Sequence, residues 1–125
     1  MSVINTLADV TRVHAQLRGD SQALLYADDG RAWTYAELDT QANIVANALL
    51  DAGVGAGERV AYLDKNSPEY FTFLFGGAKI NAISVAVNWR LAAPEMEYIL
   101  NHSEAKVLLI GEEFLSALAE MQLTS

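Results

Sequence analysis

The sequence predicts an α/β fold in three layers: a mostly parallel sheet with helices on both faces, preceded by an amino-terminal β-hairpin. Three observations predict it. Residues 79–110, KINAISVAVNWRLAAPEMEYILNHSEAKVLLI, read as strand, loop, helix, strand. The two strand segments within it, 83–87 and 106–110, are apolar without alternation, the pattern of parallel strands buried on both faces. From Thr34 onward helical and extended patterns alternate as α, β, α, β, α, β, α, the order of βαβ units.

Residues 2–18 open the chain with apolar side chains three to four apart (Val3, Leu7, Val10, Val13, Leu17), which predicts an amphipathic helix stopped by Gly19-Asp20-Ser21. Residues 23–27 and 31–34 are short extended runs around Asp28-Asp29-Gly30, a hairpin signal. Thr34-x-x-Glu37 has the residues of a capping box. Tyr35, Leu38, Ala42, Val45, Leu49 and Ala52 follow on one helical face, and Gly53 supplies the left-handed residue that closes it. Residues 59–63 read as a strand. Asn66-Ser67-Pro68 then starts a helix that runs to about Ile80 and is apolar nearly all round, so it is expected to be buried on more than one side. Gly76 and Gly77 lower its helix propensity, and close packing against the sheet is the expected compensation. Pro94 opens the next helix, and a last one is expected from Glu112 to the end of the chain.

With 125 residues the chain is read as a single domain, 1–125, with no internal boundary, repeat or low-complexity linker. A hydrophobic fraction of 52% is high for its size and predicts exposed apolar surface, and with it a homodimer or a swapped helix. The net charge of -8 excludes a nucleic-acid backbone as partner and disfavours an anionic membrane surface. No cysteine is present, which removes disulfides, thiolate metal sites and cysteine nucleophiles. The opening MSVINTLADV lacks a basic region followed by an apolar core, so no signal peptide is expected and the cytoplasm is the expected compartment. Residues 71–89 are long enough to span a bilayer, but Lys79 lies at their centre; two buried elements meeting at a turn account for them better.

Few residues invite a chemical role. Gly53-Val54-Gly55-Ala56-Gly57 follows a helix and precedes a strand, the reverse of a phosphate-binding loop, so it is read as a cap and turn. Gly76-Gly77-x-Lys79 lacks the spacing of a nucleotide loop. His14 and His102 have no carboxylates at ligand spacing and are read as surface residues. Glu95, Glu97, Glu112 and Glu113 are read as acidic residues at helix starts, where the dipole favours them. No catalytic and no metal-ligating set is assigned. Asn88-Trp89-Arg90 is the exception worth following: it lies past the carboxyl end of an expected parallel strand, where α/β sheets bind ligands, and it makes Arg90 a speculative cofactor-binding residue. Against this stands the plainer expectation that Arg90 pairs with an acid or a carbonyl in a tight loop.

Five ordered blocks together resemble one family. The stretch Asp29 to Leu38, DGRAWTYAEL, is similar to the G…T-Y-x-E-L opening of adenylate-forming (AMP-binding) enzymes. Gly53-Val54-x-x-Gly57-Glu58-Arg59-Val60-Ala61 resembles their G-V-x-x-G-D-R-V-A turn and strand, and Asn66-Ser67-Pro68-Glu69-Tyr70 their N-S-x-E-F helix start. Gly77 to Ala82 with Asn88-Trp89-Arg90-Leu91 resembles G-x-x-K-x-G-A…N-x-R-L, with Asn81 in place of a usual glycine. Pro94-Glu95 to Val107-Leu108 is similar to P-E-L-x-Y-I-L-x-x-S-x-A-K-V-L. The resemblance covers residues 10–111 and is nearest to fatty-acyl-CoA synthetases and related acyl-CoA ligases.

It implies a partial N-terminal domain of the adenylate-forming fold. It also implies an activity for the whole enzyme: ATP and Mg²⁺ convert a carboxylic acid, such as a fatty acid, to an acyl-adenylate, and CoA takes the acyl group. The family's phosphate loop, acyl pocket, ribose-binding Asp and catalytic Lys match nothing in these 125 residues. The chain is therefore expected to be an N-terminal fragment, inactive alone and partnered by the remainder of the ligase. The alternative is a non-catalytic stand-alone interaction module of ligase-derived fold; a nucleotide-dependent oxidoreductase is weakened by the misplaced glycines.

Overall fold

The computed structural model describes residues 3–124. Its elements follow in the order α1 (Leu7–Arg18), β1 (Gln22–Tyr26), β2 (Arg31–Thr34), α2 (Tyr35–Asp51), β3 (Arg59–Leu63), α3 (Pro68–Lys79), β4 (Ile83–Ala86), α4 (Ala93–Ser103), β5 (Val107–Ile110), a 3-10 turn (Glu112–Phe114) and α5 (Leu115–Ala119). The strands form two sheets, an antiparallel β1–β2 hairpin and a parallel sheet of order β4-β3-β5.

That order explains the layering. A right-handed crossover from β3 to β4 and a second one from β4 back past β3 to β5 run in opposite directions, so their helices fall on opposite faces. Val60 and Tyr62 of β3 accordingly face Leu49 and Phe73, from α2 and α3. Ala61 and Leu63 face Met96 and Leu100 of α4, with Phe114, Ala117 and Met121 closing the same side. Burying a side chain such as Leu63 or Phe73 is worth about 1.5–3 kcal/mol, so these two small cores carry most of the hydrophobic stabilisation. β3 alone is covered on both faces; β4 and β5 are edge strands on which Ile83 (51% exposed) and Leu109 (39%) still meet solvent.

Helix α3 is enclosed from two directions, as its all-round apolarity requires. Gly76 lies against α2, where an added Cβ would come within 2.6 Å of Val45 Cγ1 and 2.8 Å of the Ala42 carbonyl. Gly77 faces the sheet, yet a Cβ there would sit 3.7 Å from Val60, an ordinary contact. The close packing expected against the sheet is thus helix-on-helix packing at Gly76. Lys79, at the centre of the apolar run 71–89, ends α3 and reaches Asp39 of α2 at 2.8 Å. Thr11 of α1 donates to the same carboxylate at 2.8 Å, which ties three helices to one charge. Among the described residues no helix is long and apolar enough to cross a membrane.

The cap of α2 formed as its residues dictate, whereas Ser67 before α3 makes no side-chain cap bond and its Oγ meets the Tyr62 hydroxyl. Thr34 Oγ1 accepts from the Glu37 N–H and Glu37 Oε1 from the Thr34 N–H, completing the capping box of α2. Several boundaries differ from expectation; β4 ends at Ala86 and β5 begins at Val107, each one residue inside the expected strand. Helix α1 starts at Leu7, because the Asp9 carboxylate accepts from the backbone N–H groups of Asn5 and Thr6 and fixes them ahead of the first turn; Ser2 lies outside the described residues. Residue 27 belongs to the hairpin turn, where the Gly30 N–H bonds the Tyr26 carbonyl. The last helix stops at Ala119. Beyond it the chain lies along α4, with the Gln122 N–H on Glu97 Oε1 at 2.6 Å and the Thr124 N–H on Asn101 Oδ1 at 2.9 Å. Glu97 therefore holds this segment in place of the helix-start role expected for it, whereas Glu112 and Glu113 do lie at the start of the 3-10 turn, and Glu113 also pairs with Lys65 across 3.4 Å. Glu95 does act at its helix start, accepting from the Ala92 N–H.

Candidate functional site

At the carboxyl ends of β3 and β4 the chain turns toward opposite faces, to α3 and to α4, and the divergence opens a cleft of about 350 Å³. Tyr62, Asp64, Asn66 and Tyr70 line one wall; Ala86, Val87, Asn88 and Trp89 line the other. The Val87 N–H bonds the Tyr62 carbonyl at 2.9 Å and holds the two walls together at their base.

Each wall is braced. Tyr62 sits with its hydroxyl 3.1 Å from the Lys65 carbonyl and 2.9 Å from Ser67 Oγ, and burial raises its pKa above the usual phenol value. The Asp64 carboxylate accepts from the Lys65 N–H and packs over Gly111, where any Cβ would overlap it. That close approach explains why β5 is followed by glycine. On the other wall Asn88 Oδ1 accepts from the Arg90 N–H at 2.9 Å, an Asx turn that aims the two following side chains. Trp89 then packs on Phe114, with ring centroids 6.2 Å apart.

Two cations converge on that indole. The Arg90 guanidinium lies 4.9 Å and the Lys65 ammonium 5.0 Å from the Trp89 ring centroid. Lys65 shares its charge with Glu113, whereas no acidic side chain among the described residues pairs with Arg90. The expected acid or carbonyl partner of Arg90 is thus replaced by the face of Trp89. The Arg90 guanidinium is thus exposed and lies over the indole, beside a cleft with polar walls.

The remaining sequence candidates lie elsewhere. The Gly53–Gly57 turn joins the carboxyl end of α2 to the start of β3, at the opposite end of the sheet, and Glu58 Oε1 accepts from its Gly55 N–H. His102 is exposed and stacks on Tyr98. His14 is not the surface residue expected: it is half-buried beside Tyr35, and its Nδ1 is enclosed without a hydrogen-bond partner. It lies on α1, a face that α2 and α3 cover. Lys65 was missed by sequence reading. Its only signal was its place two residues beyond a parallel strand, the same signal that marked Arg90.

Comparison with known proteins agrees with this geometry. Residues 11–124 match the family described as AMP-binding enzyme. The chain is 43% identical over 111 residues to the fatty acid–[acyl-carrier-protein] ligase ScoC of Streptomyces coeruleorubidus, covering 89% of this chain and 21% of that protein. It is 44% identical over 78 residues to the long-chain-fatty-acid–CoA ligase FadD13 of Mycobacterium tuberculosis, covering 62% and 16%. Among solved structures, the N-terminal domain of FACL13 from the same organism superposes with a TM-score of 0.90 at 32% identity, over 94% of this chain and 29% of that one. The chain thus spans about a fifth of the length of the curated relatives it matches.

Proposed function

This chain belongs to the AMP-binding enzyme family, and from that premise we propose that it is the amino-terminal portion of a ligase that activates a fatty acid with ATP and passes the acyl group to CoA. The supporting observation is the combination of a family match over residues 11–124 with a chain that spans only about a fifth of its relatives. The reaction centre is assigned to the remainder of the polypeptide, because the family's phosphate loop, ribose-binding Asp and catalytic Lys match nothing in these 125 residues. Among the described residues no group of His, Asp and Glu could hold a metal ion, and the glycine turn at 53–57 meets the negative end of α2. The phosphate loop and the seat for Mg²⁺ are assigned to the remainder of the polypeptide.

The contribution of this chain is structural, with one exception. The Trp89-stacked Arg90, with Lys65 beside it, supplies a cationic rim on which a phosphate-bearing substrate of the whole enzyme rests. Residues 1–125 form one unit of that enzyme, which works in the cytoplasm.

A second reading concerns the acceptor, since ScoC is named for transfer to acyl-carrier protein. The test is AMP formation by the full-length protein with ATP and a series of fatty acids, offering CoA or phosphopantetheinylated carrier protein as acceptor. CoA-dependent turnover supports the first reading, carrier-protein-dependent turnover the second. Absence of AMP with every acid overturns both.

A further inference from the structure

Segments that follow the carboxyl ends of all three parallel strands meet at one indole. Lys65 comes from the loop after β3, Trp89 and Arg90 from the loop after β4, and Glu113 and Phe114 from the 3-10 turn after β5. Both cations lie close to the Trp89 ring centroid, which places their charges no farther apart than about 10 Å, the Debye length at 0.1 M ionic strength. They are not equivalent. Glu113 Oε2 lies 3.4 Å from the Lys65 ammonium, while no acidic side chain among the described residues pairs with Arg90. The 3-10 turn is anchored to the same indole, because Phe114 packs on Trp89. A carboxylate is thus held beside two cations that would otherwise act together. With side chains 52% and 54% exposed, the Lys65–Glu113 contact adds little to stability, which leaves its charge as its main effect.

We propose that Glu113 sets the acceptor specificity of the whole enzyme: by sharing the charge of Lys65 it limits the pull of the Trp89 rim on phosphate, and with it the preference for a highly phosphorylated thiol. The inference rests on the reading that the rim receives a phosphate-bearing substrate of a ligase. The acceptor is the substrate selected, because the family's phosphate loop for ATP matches nothing in this chain and is assigned to the remainder. ScoC and FadD13 are named for two different acceptors, a carrier protein and CoA. Both acceptors present a phosphopantetheine arm. On a carrier protein the arm ends in one phosphodiester, whereas CoA adds further phosphates, including a monoester that bears about -1.5 to -2 charges near neutral pH. A unit charge about 10 Å away changes the binding of a dianion by roughly fourfold in a water-like dielectric, and by more where water is excluded. Glu113 therefore acts most strongly on CoA.

The test measures KM for CoA in the full-length enzyme at low and at high salt, with pantetheine, which carries no phosphate, as the control acceptor. Glu113→Gln should lower KM for CoA by about threefold or more, and Lys65→Met should raise it by a similar factor. Both shifts should shrink as ionic strength rises from about 0.05 to 0.5 M. Glu113→Asp, which keeps the charge, should hold the parent value. Opposite signs identify a charge effect, because a pair that only braced the loops would move KM the same way whichever partner is lost. Shifts of the same sign, shifts that ignore salt, equal shifts for pantetheine or an unchanged KM overturn the proposal and leave the ligase reading in place. A shift in KM for ATP in place of CoA assigns the rim to ATP and overturns it too. So does a parent that turns over with carrier protein alone and gains no CoA turnover on Glu113→Gln. A parent that forms no AMP with any acid or acceptor defeats the ligase reading together with this one.

Discussion

Arg90 is the residue on which a direct role in this chain depends. Its guanidinium is exposed, rests on Trp89 at 4.9 Å and meets no acid among the described residues. A charge-assisted bond to a substrate anion is worth about 1.5–3 kcal/mol, so Arg90→Ala in the full-length enzyme should raise KM for ATP or for the thiol acceptor by about tenfold or more. Tm should not move, and Arg90→Lys should recover part of the loss. Unchanged KM values for both would reduce Arg90 to a surface cation. Asp9 makes a separate prediction at this scale. The backbone N–H of Asn5, then the Arg12 guanidinium, holds its pKa down to about 2. A depressed carboxylate stabilises the fold above its unfolded pKa, near 4, and loses that contribution as pH falls toward 2. Asp9→Asn should therefore lower Tm at neutral pH, with the gap from the parent closing as pH is lowered from 4 toward 2. A gap independent of pH would contradict the assignment.

At the scale of elements, α3 carries the sharpest contrast. Both of its glycines look alike in the sequence, yet only Gly76 is in contact too close for a Cβ. Gly76→Ala drives a methyl into Val45 and the Ala42 carbonyl and should cost about 1–3 kcal/mol. Gly77→Ala meets only ordinary contacts and should be neutral or stabilising by up to about 1 kcal/mol, because alanine favours the helix. Denaturant unfolding of the two variants measures both; equal destabilisation would mean that α2 and α3 are not packed as described. The sequence could not separate them, since which face meets α2 depends on how two helices approach. Other elements were legible because their signals are local. The Thr34–Glu37 box and Pro68 in the first turn of α3 each act within a few residues. The left-handed conformations of Asn81 and Glu104, with φ of 59° and 55°, carry weaker signals, and at Asn81 the family's usual glycine states the requirement more plainly. The tail after α5 was illegible because tertiary bonds to Glu97 and Asn101 hold it in place of a helix.

For the whole molecule, fold class followed from alternation and from two unalternating apolar strands, both visible in one dimension. Strand order did not. Nothing in residues 59–110 states that β3 is central, although the near-complete burial of Val60 to Leu63 follows from it. The candidate cleft was half legible: Arg90 could be marked by its place after a strand, but its convergence with Lys65 on Trp89 required the loops after β3 and β4 to be brought together. Exposed apolar surface was expected from composition, and the structure locates part of it on β5 and the α2–α3 groove.

The central claim is that this chain is one portion of an AMP-forming ligase and does not perform the reaction alone. ATP-dependent AMP formation in the presence of a long-chain fatty acid and CoA tests it most directly, run side by side on the full-length protein and on residues 1–125. Turnover by the full-length protein and none by the 125-residue chain is the predicted result. AMP released by the 125-residue chain, or none released by either, would contradict it.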